Sequence, residues 1–300
     1  MIRTRSSARA LAPCAVLSLV ALASSACQSP PASPVPPEPR QIRQALLEEL
    51  RPVTLKNCTL KRFGSANDGG YLMCENLIAG FESAYSYGID IEDNWGCEVS
   101  REFAVRVHQY DCFTPHRPRC DGAPPVFHDE CIGAETESVD SRPFDTLTNQ
   151  IAKNGDGGKR LIVKMDVEGA EWDSLLATPD AVLSRIDQMP MELHGVNEPR
   201  FLELVRKLKR TFYLVSLHFN NHACAADADP LPAWAYQVLF VNKRLGVPEP
   251  SLPARVPGSA PDAPDDPAAP DCQLQTSVTR RQPLLTERPR KRYPKPKLLY

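Results

Sequence analysis

Apolar and polar positions alternate along this chain with two different periods, and the period switches repeatedly between residues 42 and 243. Ile42–Leu50 (IRQALLEEL) has the three-to-four-residue spacing of one helix face, Ser83–Ile89 (SAYSYGI) reads as a strand, Trp95–Arg106 as a helix, and Val105–Cys112 as a strand again. Pro125–Gly133 is a short strand candidate, Phe144–Lys153 a helix, and Lys159–Val167 (KRLIVKMDV) the clearest buried strand. Glu171–Ile186 is helical, with Thr178 and Pro179 placed to start a second helix. The strand Gln188–Gly195, the helix Glu198–Arg210 and the strands Phe212–Phe219 and Ala235–Lys243 complete the series. Strands alternating with helices predict crossover units and a mostly parallel sheet, an α/β fold. The last two strands have no helix between them, which predicts an antiparallel closing edge.

Outside these limits the pattern breaks down. The N-terminus carries three arginines in MIRTRSSARA, then the apolar run LAPCAVLSLVALA, then the small residues SSAC, the order of a secretory signal over residues 1–26. Ser24–Cys27 also resembles a bacterial lipobox, so a lipidated Cys27 tethering the protein to a membrane, simple cleavage after Ala26 and a retained signal anchor are all open. Residues 27–40 are proline-dense and read as a tether. The folded domain spans 41–246, and 247–300 reads as a disordered Pro-rich linker ending in the basic tail Glu287–Lys297.

The formal charge of −2 over 300 residues argues against broad nucleic-acid binding and leaves room for one sizeable core. Export changes how the cysteines read. Eight of them lie beyond Cys27 with no C-x-x-C spacing, so an oxidising periplasmic or membrane-anchored setting predicts disulfides. Their pairing is open, since eight cysteines allow on the order of a hundred connectivities.

In a parallel α/β sheet, ligands bind beyond the carboxyl ends of the strands. Asp166 in VKMDVEGAE (Val163–Glu171) stands at such an end. Gly169 permits the turn, and Glu168 and Glu171 are carboxylates at a helix N-terminus, where its dipole favours them. Gly88 follows the first strand, where approach of a ligand to the backbone demands a small residue, and Asp111 ends the second, where an acid typically holds ribose hydroxyls. The G-x-G-x-x-G pattern is absent, which argues against NAD and FAD.

KMDVEGAEWDSLL followed by MPMELHG resembles the FkbM-type S-adenosylmethionine-dependent methyltransferases. RFGSANDGGYLMC (Arg62–Cys74) and YSYGI resemble a related signal-bearing, methyltransferase-like group. The resemblance runs from about Cys58 to Lys243. It implies a Rossmann-like class I methyltransferase fold with a seven-strand sheet, S-adenosyl-L-methionine as cofactor, Gly88 and Asp111 on that cofactor, and Asp166 near the methyl group. Gly133 is a further candidate for the cofactor side. Where the family carries an acid two positions before the first-strand glycine this chain has Ser86, and Asp90 or Asp93 in the acidic loop GIDIEDNW stands in for it.

Methyl transfer to a hydroxyl needs the acceptor aligned and its proton removed. Asp166, His194 and His218 sit at successive predicted strand ends as candidate catalytic groups, with Glu168, Glu171 and Asn220 towards the acceptor. Asp166, Glu192 or His194, and His218 with Asn220 or Asn221 also form a donor set for Mg2+ or Mn2+. NDGGY (Asn67–Tyr71) reads as a hairpin turn, with a cover over the cofactor as the second reading that the resemblance raises, and Trp95 and Trp172 are candidates for stacking or for packing. The expected function is O-methylation of a small-molecule or glycan acceptor. The alternative is a catalytically silent glycan- or protein-binding module on the same fold.

Overall fold

The computed structural model describes residues 37–114, 117–120, 125–253 and 259–274. The expected signal, Cys27, most of the tether and the basic tail lie outside them. Helix α1 (Pro39–Glu49) starts with proline in its first turn and buries Ile42 and Leu46. Strands β1 (Leu60–Gly64) and β2 (Gly70–Cys74) form the expected hairpin, closed through Gly64 opposite Gly70. Then follow β3 (Ser83–Tyr87), α2 (Asn94–Phe103), β4 (Arg106–Tyr110) and β5 (Val126–His128). A side sheet comprises β6 (Cys131–Ile132), β7 (Glu137–Val139) and β8 (Arg142–Asp145). After it come α3 (Leu147–Lys153), β9 (Leu161–Met165), α4 (Glu171–Ala177), α5 (Asp180–Leu183), β10 (Ile186–His194), α6 (Pro199–Thr211), β11 (Phe212–Phe219) and β12 (Ala235–Asn242).

Seven strands form the main sheet in the order β11-β12-β10-β9-β3-β4-β5. The pairs from β10 to β5 are all parallel, whereas β12 runs antiparallel to both β10 and β11. This is a Rossmann-like α/β sheet. The chain winds outward from β3 through β4 to β5, then returns to place β9 on the other side of β3, making the β3/β9 junction the topological switch point. The last two strands pair antiparallel at one end of the sheet, with β12 inserted between β10 and β11, so β11 is the outermost strand. Every residue of β3, β9, β10 and β12 is buried, and two apolar clusters hold the sheet. The hairpin is fastened to β10 by buried Gln188, whose side-chain amide accepts from the Cys74 N–H at 2.8 Å and donates to the Cys74 carbonyl at 2.9 Å.

Two expectations are corrected here. Phe144 and Asp145, read as the start of the helix Phe144–Lys153, belong to β8, and α3 begins only at Leu147; the side-sheet strands are only two to four residues long, too short for periodicity to register. The segment 259–274, read as disordered from its proline and aspartate content, lies against the domain. It forms no helix or strand. Instead Asn67 Nδ2 donates to the Pro264 carbonyl at 2.7 Å, Asn221 Nδ2 donates to the carbonyls of Asp266 and Ala269, and the Asp266 N–H donates to Asn221 Oδ1. Four disulfides, Cys58–Cys74, Cys97–Cys120, Cys112–Cys131 and Cys224–Cys272, fit an oxidising compartment, and the last one anchors this strap.

His108 on β4 gives the fold an acid-sensitive point. It is buried, with Nδ1 3.0 Å from His128 Nε2 and Nε2 3.4 Å from Asp156 Oδ2. Burial outweighs the Asp156 attraction, and His128, Arg106 and Lys159 add repulsion, so its pKa falls from 6.5 to about 4. The unfolded chain therefore takes up this proton more readily than the folded one, and stability is lost as pH falls from 6.5 towards 4. The expected loss is about 3 kcal/mol. Chemical denaturation across that range should show it, with a shallower pH slope for His108→Asn.

Candidate functional site

The carboxyl ends of β3, β9 and β10 meet at a cluster of seven ionisable side chains, Tyr71, Lys164, Asp166, Glu168, Glu171, Glu192 and His194. Asp166 follows β9 directly. Its Oδ2 accepts from the Tyr71 hydroxyl of the hairpin at 2.7 Å and lies 3.9 Å from the Lys164 ammonium, while its Oδ1 lies 3.7 Å from His194 Nε2. The next turn is made by Glu168 (φ 54°) and Gly169 (φ 107°), two successive left-handed residues that swing the chain from β9 into α4. Glu168 is strained there, and its exposed carboxylate lies 3.6 Å from His194 Nε2.

Glu171, the first residue of α4, is fully buried. Its Oε2 accepts from the Gly169 N–H at 2.8 Å; its Oε1 accepts from the His194 N–H at 2.7 Å and lies 3.2 Å from His194 Nδ1. The neighbouring Trp172 donates its indole N–H to the His194 carbonyl at 2.6 Å. Glu192, also buried, accepts from Asn220 Nδ2 at 2.7 Å and stands 3.9 Å from His194 Nε2.

The electrostatics follow from this crowding. Burial works against a charged His194, but Glu171, Glu192 and Asp166 outweigh it and raise its pKa to about 10. That is opposite to the neutral imidazole expected of a base near pH 7. Burial, followed by the Asp166 charge, pushes Glu192 up. Burial and Asp166 likewise raise Tyr71, which remains a hydrogen-bond donor.

The other expected residues divide into those this arrangement recruits and those it uses elsewhere. Gly88 is at the switch point with φ 69°, but what requires a glycine is the neighbouring strand: a Cβ there would sit 1.5 Å from the Asp166 carbonyl oxygen. Lys164, inward from buried β9, donates to the carbonyls of Tyr87 and Gly88 at 3.1 and 2.5 Å. Asp111 lies beside the same turn, with Oδ2 accepting from the N–H groups of Ile89 and Asp90 and Oδ1 from those of Phe113 and Thr114. It clamps two loops together. Asp90 is exposed and accepts from the Thr114 hydroxyl at 3.3 Å. Asp93 caps α2 through the Gly96 N–H.

Gly133 follows β6 in the side sheet, and a Cβ there would make only ordinary contacts, the nearest at 3.5 Å. Cys131, two residues earlier, is disulfide-bonded to Cys112 beside Asp111. Trp95 and Trp172 are core residues, 1% and 0% exposed, so neither offers a face for stacking on a ligand. His218 belongs to a second cluster. It shares a cross-strand row with Gln237 and Glu192, but its Nδ1 is 2.8 Å from Asp262 Oδ2 of the strap, with Asp265 and Asp271 at 3.9 and 3.7 Å from Nε2. Asp262 also pairs with Arg62 at 3.1 Å.

Sequence reasoning missed Tyr71 and Lys164. Tyr71 was visible only as part of the turn NDGGY, whose resemblance-based reading as a cover for the cofactor gave no role to the residue itself. Lys164 did give a signal: a lysine within the apolar run LIVKM is a charge in a strand buried on both faces. Compared with known protein families, the chain matches no family model, and no curated protein matches it.

Gly88→Ala should destabilise the protein by about 2–5 kcal/mol, combining a left-handed non-glycine residue with an overpacked strand junction. Equilibrium urea denaturation measures it.

Proposed function

We propose that this protein is an S-adenosylmethionine-dependent methyltransferase acting on a hydroxylated, sugar-like acceptor. The observation that carries this reading is the meeting of Gly88, Asp111 and Asp166 at the topological switch point of the sheet, where an α/β fold receives its ligand. They are the three residues that the resemblance to the FkbM-type enzymes picks out.

The residues at the switch point fit such a cofactor. Asp90 presents an exposed carboxylate able to accept from ribose hydroxyls, and Asp111 holds the backbone of that loop in place. This divides between two acids the role first assigned to Asp111 alone. Bound there, S-adenosylmethionine would supply a methyl group on a positively charged sulfur. Asp166, the least enclosed carboxylate at the tip of β9 apart from Glu168, orients the acceptor hydroxyl and receives its proton. Tyr71 fixes the angle of that carboxylate. His194, held by Glu171, stands beside Asp166 and the exposed Glu168. His218 is left out, because the strap acids occupy its imidazole.

Calorimetric titration of S-adenosylmethionine and S-adenosylhomocysteine into protein purified with its disulfides intact tests this. Saturable binding is expected, weakened about tenfold or more in Asp90→Ala. Asp166→Asn should retain binding while losing turnover on a responsive acceptor by about 100-fold or more. A folded sample that binds neither compound would favour the silent binding module.

A further inference from the structure

We propose that Asp166, Glu192 and His194 bind a divalent metal ion, manganese or zinc, with Glu171 holding the imidazole for it. One ligand atom from each of the three residues lies within 4.8 Å of the others, close enough to share an ion. His194 carries the argument. Its side chain is 94% buried by its 6% exposure, and its Nδ1 faces Glu171 at 3.2 Å. Its Nε2 makes no hydrogen bond among the described residues, although Glu168, Asp166 and Glu192 surround it with oxygens at 3.6, 3.7 and 3.9 Å. Asp166 and Glu192 approach this ring nitrogen from just beyond hydrogen-bond range, and a cation taking the place of the ring proton would meet an oxygen from each of them.

The surroundings match what metal ligands need. A ligating histidine typically gives its other ring N–H to a carboxylate, which fixes its tautomer and aims the free lone pair. Glu171 stands in that relation to His194. Each of the other two ligands also has its own partner: the Tyr71 hydroxyl donates to Asp166 Oδ2, leaving Oδ1 towards His194, and Asn220 donates to Glu192. Once binding has displaced the ring proton of His194, two carboxylates and a neutral imidazole carry a charge of −2, which a divalent ion cancels. The mixed nitrogen and oxygen donors favour manganese or zinc over calcium, which prefers six to eight oxygens.

Metal binding is tested without any methyl donor, so it fails or succeeds independently of the function proposed above. The disulfide-intact full chain is titrated with MnCl2 and, separately, ZnCl2 by calorimetry, and bound Mn2+ is examined by pulsed electron paramagnetic resonance. One saturable site is expected, with nitrogen hyperfine coupling from His194. His194→Gln and Glu192→Gln should weaken it by about 100-fold, and Glu171→Gln or Tyr71→Phe by about 10–100-fold. His218→Gln, in the strap cluster, should leave it unchanged. If the buried substitutions prevent folding, Asp166→Asn at the more accessible ligand gives the same reading. The proposal is overturned if folded wild-type protein binds neither ion up to about millimolar concentration, if bound Mn2+ shows no nitrogen coupling, or if Asp166→Asn and His194→Gln bind as tightly as wild type. Metal binding without S-adenosylmethionine binding would sink the methyltransferase reading and leave the metal site standing.

Discussion

Glu171 is an ionisable side chain with no exposed surface, and burying a carboxylate costs several kcal/mol unless its oxygens are satisfied. It is satisfied by the N–H of Gly169 and by two groups of His194, so one side chain joins the β9–α4 turn to the end of β10. The position of the imidazole, the left-handed turn at Glu168 and Gly169, and the first turn of α4 are all set against it. An acid at this helix terminus could have been a solvated cap. Its burial instead makes it the fixed point around which the polar end of the sheet is arranged.

The cluster draws on five separate parts of the chain. Tyr71 comes from the hairpin, Lys164 and Asp166 from β9 and its tip, Glu171 from α4, Glu192 and His194 from β10, and Asn220 from the end of β11. Their convergence depends on two close contacts, the backbone packing of Gly88 on Asp166 and the side-chain clasp of Gln188 on the Cys74 backbone. Both are made by buried strands. Strain and desolvation at this end of the sheet are thus offset by an apolar core built on either side of it.

What could be read in the sequence follows from the range of the interactions involved. Alternating periods located the strands and helices of the main sheet, because each period depends on residues within one or two turns of each other. The acids of VKMDVEGAE were conspicuous for the same reason, being local and charged at the end of an apolar run. The insertion of β12 between β10 and β11 leaves no such trace, since either order satisfies two strands without an intervening helix. Tyr71 reaches Asp166 across 95 positions, and nothing near either residue announces the other. The strap was misread because composition reports the lack of a self-sufficient core. Its backbone is satisfied by the side chains of Asn67 and Asn221, which composition does not register.

That strap has a consequence for how the molecule is made. Cys272 is the last cysteine of the chain, and it closes onto Cys224 only after every strand of the main sheet has already been synthesised. Until then the row of Glu192, Gln237 and His218 lacks Asp262 and Asp265, and Arg62 lacks its buried partner. The sheet must hold its own shape with this stripe wet and unmatched. The strap then behaves as a seam, sewn last and locked covalently, and a chain interrupted before residue 259 would display that charged stripe on its surface, a ready mark of an unfinished molecule.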